Sequence, residues 1–204
     1  SPPMQSLERI EVVRGAASLQ YGPQFGGLVN FVLKKGPKDK KIQWETSNTV
    51  GSYGFANTYN SVGGTVGKVN YYGYYQFRRG DCWRENSEFD AHAAYGAVTY
   101  RLNDKLSITG EYSMLHYLSQ QAGGLTDAQF VQNPRQSNRD RNWFLIDWNI
   151  GTVIIDYVFS PKTQLNIRTF GMKSGRDAVG NLGRIDRADD GSNRMLLVDD
   201  YLNI

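Results

Sequence analysis

Six arginines pose the first chemical question. Arg78, Arg79, Arg84, Arg135, Arg139 and Arg141 fall in or beside polar connecting segments, and no lysine occurs between Lys105 and Lys162. A guanidinium is a planar fork that grips a carboxylate through two parallel hydrogen bonds, which an ammonium cannot do. Several such forks on loops suit a compact anion rich in carboxylates. The competing reading is structural: the same arginines could pair with Asp81, Glu85, Asp127 and Asp140 and order the loops. Arg14 stands apart from them, inside "RIEVVRGAASLQYGPQFGGLVNFVLKK", Arg9 to Lys35, where it directly follows an apolar run. If buried, that charge needs a partner, and Glu8 and Glu11 are near in sequence.

No catalytic set can be assembled from the other reactive residues. His92 and His116 fall on separate expected strands without His-x-x-x-His or cysteine spacing, so they do not read as metal ligands. Glu85, Glu88 and Asp90 read as a solvated charge run. "GGLVNF" lacks the glycine and lysine spacing of a phosphate cradle. Cys82 is the single cysteine, which excludes an internal disulfide framework and a thiolate zinc cluster. It reads as a loop thiol without a role, with Arg79 and Arg84 the neighbours that could lower its pKa. The net charge is +3, from 23 basic and 20 acidic residues without a basic block, so no nucleic acid is expected as a partner. The expectation is of no enzyme, no catalytic residue, no resident cofactor and no metal site.

The elements that must position these groups are β-strands. The 204 residues include 13 tyrosines, nine phenylalanines, four tryptophans and 22 glycines, a composition that favours turn-rich β-structure. From residue 40 onward, alternating runs are separated by turn signals. They span Ile42–Gly51, Phe55–Thr65, Val69–Arg79, Ala91–Leu102, Leu106–Tyr117, Trp143–Tyr157 and Gln164–Met172. Short turns ("VGK", "NDK", "SPK") alternate with long polar loops (Gly80–Phe89, Leu118–Asp140 and Ser174–Asn193). Within the second loop, "LTDAQFVQN" predicts a short helix with Thr126 as N-cap, Asp127 at its positive end and Pro134 after its stop.

Transmembrane β-barrels share this alternation of loop length, strands of at least ~9–11 residues, and aromatic girdles. A soluble sandwich also has alternating strands, but those average about 5–6 residues. The mean hydropathy of −0.52 does not oppose a barrel, because half of every strand faces a polar lumen. The opening segment differs. Ile10, Val12 and Val13, then Leu28, Val29, Phe31, Val32 and Leu33, put apolar residues on both faces, as strands buried in a mixed sheet do. Between them, Ala16–Gln20 permits a short helix closed by Tyr21-Gly22-Pro23, and Gly26-Gly27 permits a tight re-entry.

"LERIEVVRGAASLQYGPQFGGLVNFVLKK" resembles the carboxy-terminal part of the plug domain of TonB-dependent outer-membrane receptors, in which an "ERIEVxRGPxSxxYG…GGxxNxxxK" pattern leads into the first barrel strand. Ala16 departs from it, standing where the family usually has proline. The resemblance implies a mainly β fold: residues 1–36 as the end of an α/β plug domain, and 37–204 as the first seven or eight strands of a transmembrane antiparallel β-barrel. So few strands cannot close around a plug. The expectation is therefore of a piece, without the signal peptide, the coupling box, most of the plug and about two thirds of the barrel.

Function follows from the same resemblance. It implies an energy-coupled receptor and transporter in the bacterial outer membrane, worked by a TonB-type inner-membrane complex and surrounded by outer-membrane lipid. Iron would enter only as part of a chelate. Arg14 would tether plug to barrel-wall glutamates. "RRGDCWREN" and "GGLTDAQFVQNPRQSNRDR" are similar to loops of the ferric-citrate branch, which would make the six loop arginines ligand contacts. Hydroxamate or catecholate siderophores compete, with Trp83 serving them better. A passive porin or adhesin barrel, or a receptor for another scarce nutrient, are the alternatives.

Overall fold

The computed structural model describes residues 2–15, 26–181, 183–184, 187–192 and 194–203. Two sheets organise them. A short 3-10 turn, Met4–Ser6, leads into an antiparallel hairpin of β1 (Leu7–Val13) and β2 (Leu28–Leu33). The second sheet is an eight-stranded antiparallel meander in chain order. Its strands are β3 (Gln43–Val50), β4 (Ala56–Val66), β5 (Val69–Gly80), β6 (Phe89–Arg101), β7 (Leu106–Gln120), β8 (Trp143–Ser160), β9 (Thr163–Asn181) and β10 (Arg194–Asn203). The helix α1 (Asp127–Gln132) interrupts the β7–β8 connection and begins at Thr126 with a capping box. The Thr126 side chain accepts from the Gln129 N–H, and the Gln129 side chain accepts from the Thr126 N–H, so two orphan donors of the first turn are satisfied reciprocally.

Two expectations need correction. Ser174–Asn193 is not all loop, because β9 runs on to Asn181, paired with Trp143–Trp148 of β8 as far as Val179 and with β10 beyond it. The stretch "SGRDAVGN" carries little apolar alternation, so the ladder continues where the sequence offers no signal. The apolar residues of β1 and β2 are also enclosed only in part, Val13, Leu28, Val32 and Leu33 being half-buried. The hairpin stands as a two-stranded ribbon, and Ile10, Val12, Val29 and Phe31 are exposed among the described residues. The helix expected over Ala16–Gln20, with its closing turn Tyr21-Gly22-Pro23, lies outside the described residues. Gly27, past that segment, has φ +90°, and a Cβ there would lie 2.4 Å from the Val13 carbonyl oxygen, which is the tight re-entry expected of it.

Strand registers assign every residue of the meander to one of two faces. One carries Tyr59 and Ser61 of β4, Tyr72, Tyr74 and Gln76 of β5, Tyr95 of β6, Thr109 and Glu111 of β7, and Ile154 and Asp156 of β8. The hairpin sits on this face, with Leu33 packed against the buried Tyr59, Tyr72 and Tyr74. The Tyr59 and Tyr72 hydroxyls are hydrogen-bonded at 2.9 Å, and Thr99 and Thr109 at 2.8 Å. The opposite face presents Val62, Tyr71, Val98, Ile108, Tyr112, Val153, Ile155, Leu165 and Ile167. Most of these are open to the surroundings; Val98, for example, is 53% exposed.

Candidate functional site

The long connections of the meander meet at one end. The amide of Asp81 donates to the Tyr53 carbonyl at 2.9 Å, joining the β5–β6 loop to the β3–β4 turn, and the amide of Glu85 donates to the Arg135 carbonyl at 2.9 Å. Among the described residues, three other than glycine have positive φ, namely Tyr53 (57°), Cys82 (61°) and Asn86 (51°). All three lie in this cluster, and such backbone persists only where its surroundings hold it. Asn86 is held by its side-chain amide, which donates to the carbonyls of Gln121, Arg139 and Asn142.

The arginines provide many of the bonds between loops. Arg84 donates to the Gly123 carbonyl at 2.8 Å and to the Gln136 carbonyl at 2.9 Å, so it joins the β5–β6 loop to the β7–β8 loop. Arg135 donates from Nε to the Trp83 carbonyl at 3.0 Å, and its guanidinium lies 5.8 Å from the Tyr53 ring centroid, a cation–π distance. Arg139 is buried. It donates to four carbonyls, those of Asn138 (2.7 Å), Arg187 (2.8 Å), Gly183 (2.7 Å) and Arg184 (2.9 Å). Arg141 grips Asp189 with both arms, at 2.7 and 2.5 Å. This fork, with donors from Asn181 and the Gly191 amide, holds the Asp189 carboxyl well below the usual carboxylate range.

None of these bonds goes to Asp81, Glu85, Asp127 or Asp140, the carboxylates adjacent in sequence. The loops are ordered by arginine on backbone carbonyl and by one long-range pair. Register separates the remaining two candidates. Arg78 shares the hairpin-facing side with Tyr74 and Gln76 and is half-buried, whereas Arg79 follows Tyr75 and Phe77 onto the opposite side and is exposed. Adjacent strand residues point apart, so these two do not converge on one ligand from β5.

Arg14 is exposed, with no partner among the described residues. Glu8 and Glu11 bond to Arg9 instead, at 3.2 and 2.8 Å. A cavity of about 360 Å³ separates hairpin from sheet, bordered by Asn30, Lys35, Asn70, Tyr95, Glu111 and Arg168 among others. The space is polar and wide enough for water.

Register also brings together what sequence spacing kept apart. His92 and His116 are direct cross-strand partners on the face away from the hairpin, with ring centroids 6.0 Å apart. His92 bonds Asp90 at 2.8 Å and the Tyr75 hydroxyl at 2.6 Å, and His116 bonds Asp147 at 2.5 Å. No group of three or more candidate metal ligands occurs among the described residues. These pairs mark where the apolar face turns polar. From Asn149 to Phe159 along β8 is ten residue steps. At about 3.3 Å per step and a tilt of about 40°, that corresponds to a band roughly 25 Å tall.

No family model matches the chain. Solved structures do. The unliganded ferric citrate transporter FecA superposes with a TM-score of 0.76 at 24% identity, over 88% of this chain. The siderophore receptor PiuA from Acinetobacter baumannii gives 0.76 at 16% over 97%. The open form of the ferric-catecholate import receptor Fiu from E. coli K12 gives 0.74 at 13% over 97%. The chain spans 28%, 31% and 34% of the length of these three. The likeness extends over 88% to 97% of this chain, and this chain has the fold of the TonB-dependent siderophore and ferric citrate receptors, over part of their β-barrel.

Proposed function

We propose that this chain is part of an energy-coupled outer-membrane receptor that imports a ferric chelate, with residues 1–36 the end of its plug and 37–204 its first barrel strands. The observation that carries the reading is the contrast between the two faces of one sheet. The face with exposed valine, isoleucine and tyrosine suits lipid over about the 25 Å that such barrels present. The opposite face is polar and already holds a hairpin, where an open porin would keep a water-filled lumen. Long loops then face outward and short turns the periplasm. A TonB-type inner-membrane complex is the energising partner, and iron is cargo within its chelate.

Ferric citrate is the favoured ligand. FecA shares 24% identity with this chain, against 16% and 13% for the siderophore and catecholate receptors, and arginine-rich loops suit a carboxylate-rich anion. Arg14, exposed and unpaired among the described residues, would tether the plug to a wall carboxylate. Uptake of iron-55 citrate by cells carrying the full-length receptor tests the reading. Saturable uptake that disappears without the coupling protein is expected, and Arg14→Ala should alter it at unchanged receptor abundance. Uptake that neither saturates nor needs the coupling protein would identify a passive pore. Competition by a catecholate chelate but not by citrate would reassign the ligand.

A further inference from the structure

The two rims of the apolar face differ in charge. At the turn end lie Lys38, Lys40 and Lys41 in the segment that enters β3, Lys68 in the β4–β5 turn, Lys105 in the β6–β7 turn and Lys162 in the β8–β9 turn, all of them exposed. The carboxylates beside them are Asp39 and Asp104, so six cations stand against two anions, a net charge of +4. Among the described residues none of the six lysines is in an ion pair. Lys68 Nζ donates to the Leu102 carbonyl at 2.8 Å and Lys40 Nζ to the Gln43 side-chain oxygen at 3.2 Å, and neither acceptor cancels the charge. The other charged groups at this end are engaged elsewhere. Lys34 pairs with Glu45, Lys35 borders the cavity, and Arg101 and Asp156 stand together on the hairpin-facing side.

The loop-end rim of the same face is the reverse. Register puts Asp90, Asp147, Asp177 and Asp200 there against Arg79 and Lys173, with His92 and His116 among them. At the turn end, aromatic side chains connect the lysines to the apolar band. Trp44, Tyr71, Tyr100 and Phe159 are on the apolar side, each three to five residues from one of the lysines. Trp44 is 73% exposed, and the exposed Phe159 ring stands against Tyr157 with centroids 4.6 Å apart. Aromatic residues so placed settle at the level of lipid headgroups, and a lysine just beyond them can bend its long stem back to that level. Turns recur at every second strand, so Lys68, Lys105 and Lys162 stand roughly 10 Å apart in the hydrogen-bonding direction. The charge is therefore spread along the edge of the apolar band, where a layer of phosphate-bearing headgroups would meet it.

We propose that the turn-end lysines form an arc that selects anionic phospholipid headgroups in the leaflet they face. This rests on the reading above that the apolar face contacts lipid. The test uses the full-length receptor with its own cysteines, Cys82 included, changed to serine, reconstituted in vesicles of phosphatidylcholine and phosphatidylglycerol. A fluorophore is carried by Thr163→Cys, beside Lys162, or by Leu118→Cys, exposed at the loop end of the same face. Both leaflets have one composition, so the loop-end site is the control. Quenching by brominated phosphatidylglycerol is compared with quenching by brominated phosphatidylcholine at equal content. At Thr163→Cys the anionic lipid should quench as if enriched at least about threefold, and the enrichment should vanish in about 1 M salt, where the Debye length is about 3 Å. Lys68→Gln, Lys105→Gln and Lys162→Gln together should remove most of it. At Leu118→Cys the anionic lipid should quench no more than the neutral one. Equal quenching by the two lipids at Thr163→Cys, or an enrichment that survives both salt and the lysine changes, overturns the arc and leaves the lipid contact standing. Equal quenching together with uptake lost in the lysine variant overturns it in favour of an acidic protein partner. No quenching by either lipid at either site overturns the lipid-facing reading itself.

Discussion

Arg139→Ala separates a loop staple from a ligand contact. Arg139 is 4% exposed and donates to four carbonyls, three of them in the β9–β10 connection. A hydrogen bond from a charged donor contributes about 1.5–3 kcal/mol. Four of them do not sum, because Arg184 and Arg187 are exposed and water can satisfy their freed carbonyls. A net loss of roughly 2–4 kcal/mol in docking that connection follows, which amounts to a roughly thirty- to thousandfold loss of amide protection. The assay is hydrogen exchange on the full-length receptor in detergent without ligand, read at the Asn181, Gly191 and Ser192 amides, which donate to Asn142, Asp189 and Asp190 side chains. Protection within β5 and β6 should not change. Unaltered exchange at those three amides, accompanied by lost ligand binding, would refute the staple and return Arg139 to the ligand.

Other consequences can be checked separately. Val153→Arg, on the apolar face, should lower outer-membrane assembly by an insertion cost of about 2–4 kcal/mol, while Thr109→Lys on the hairpin-facing side should cost far less, measured as folded receptor per cell. Thr126→Ala should destabilise α1 by about 1 kcal/mol, read as faster exchange of the Gln129 amide with little change in receptor melting. The depressed Asp189 pKa has a definite sign. Its stabilisation is complete above the ordinary aspartate range near ~4, declines as pH falls below that range, and is gone once pH passes the lower folded value. The Asn181–Ser192 connection should therefore resist pepsin at pH 4 and yield in stronger acid, whereas Asp189→Asn should remove that pH dependence.

Strand positions were readable because half-buried strands alternate: Val69–Arg79 announced β5 to within a residue. Where both faces turn polar, as in the upper half of β9, period two vanishes and the strand was hidden. The N-cap of α1 was legible because Thr126 stands just before the helical run with Asp127 in its first turn, whereas the reciprocal bond to the Gln129 side chain was not read. Pairings across strands were not legible. Nothing in the spacing of His92 and His116 says that they face one another, since that depends on the register between β6 and β7 and on the length of the turn joining them. The arginine partners were illegible for a related reason. Backbone carbonyls carry no side-chain signature, and Asp189 lies 48 positions from Arg141.

The use of carbonyls as arginine partners has an electrostatic consequence. An ion pair that orders a loop also cancels its charge, but a carbonyl is a dipole and leaves the guanidinium positive. Arg84, Arg135 and Arg139 thus hold the loops in place without being neutralised by the groups that hold them. The same loops carry Asp81, Glu85, Glu88, Asp127 and Asp140, so the loop end has no net positive field and each guanidinium acts on an anion only at short range. A change that loosens the loops by removing an arginine therefore also removes a local cation, and the electrostatic part of its effect on binding should shrink as salt shortens the Debye length below about 10 Å.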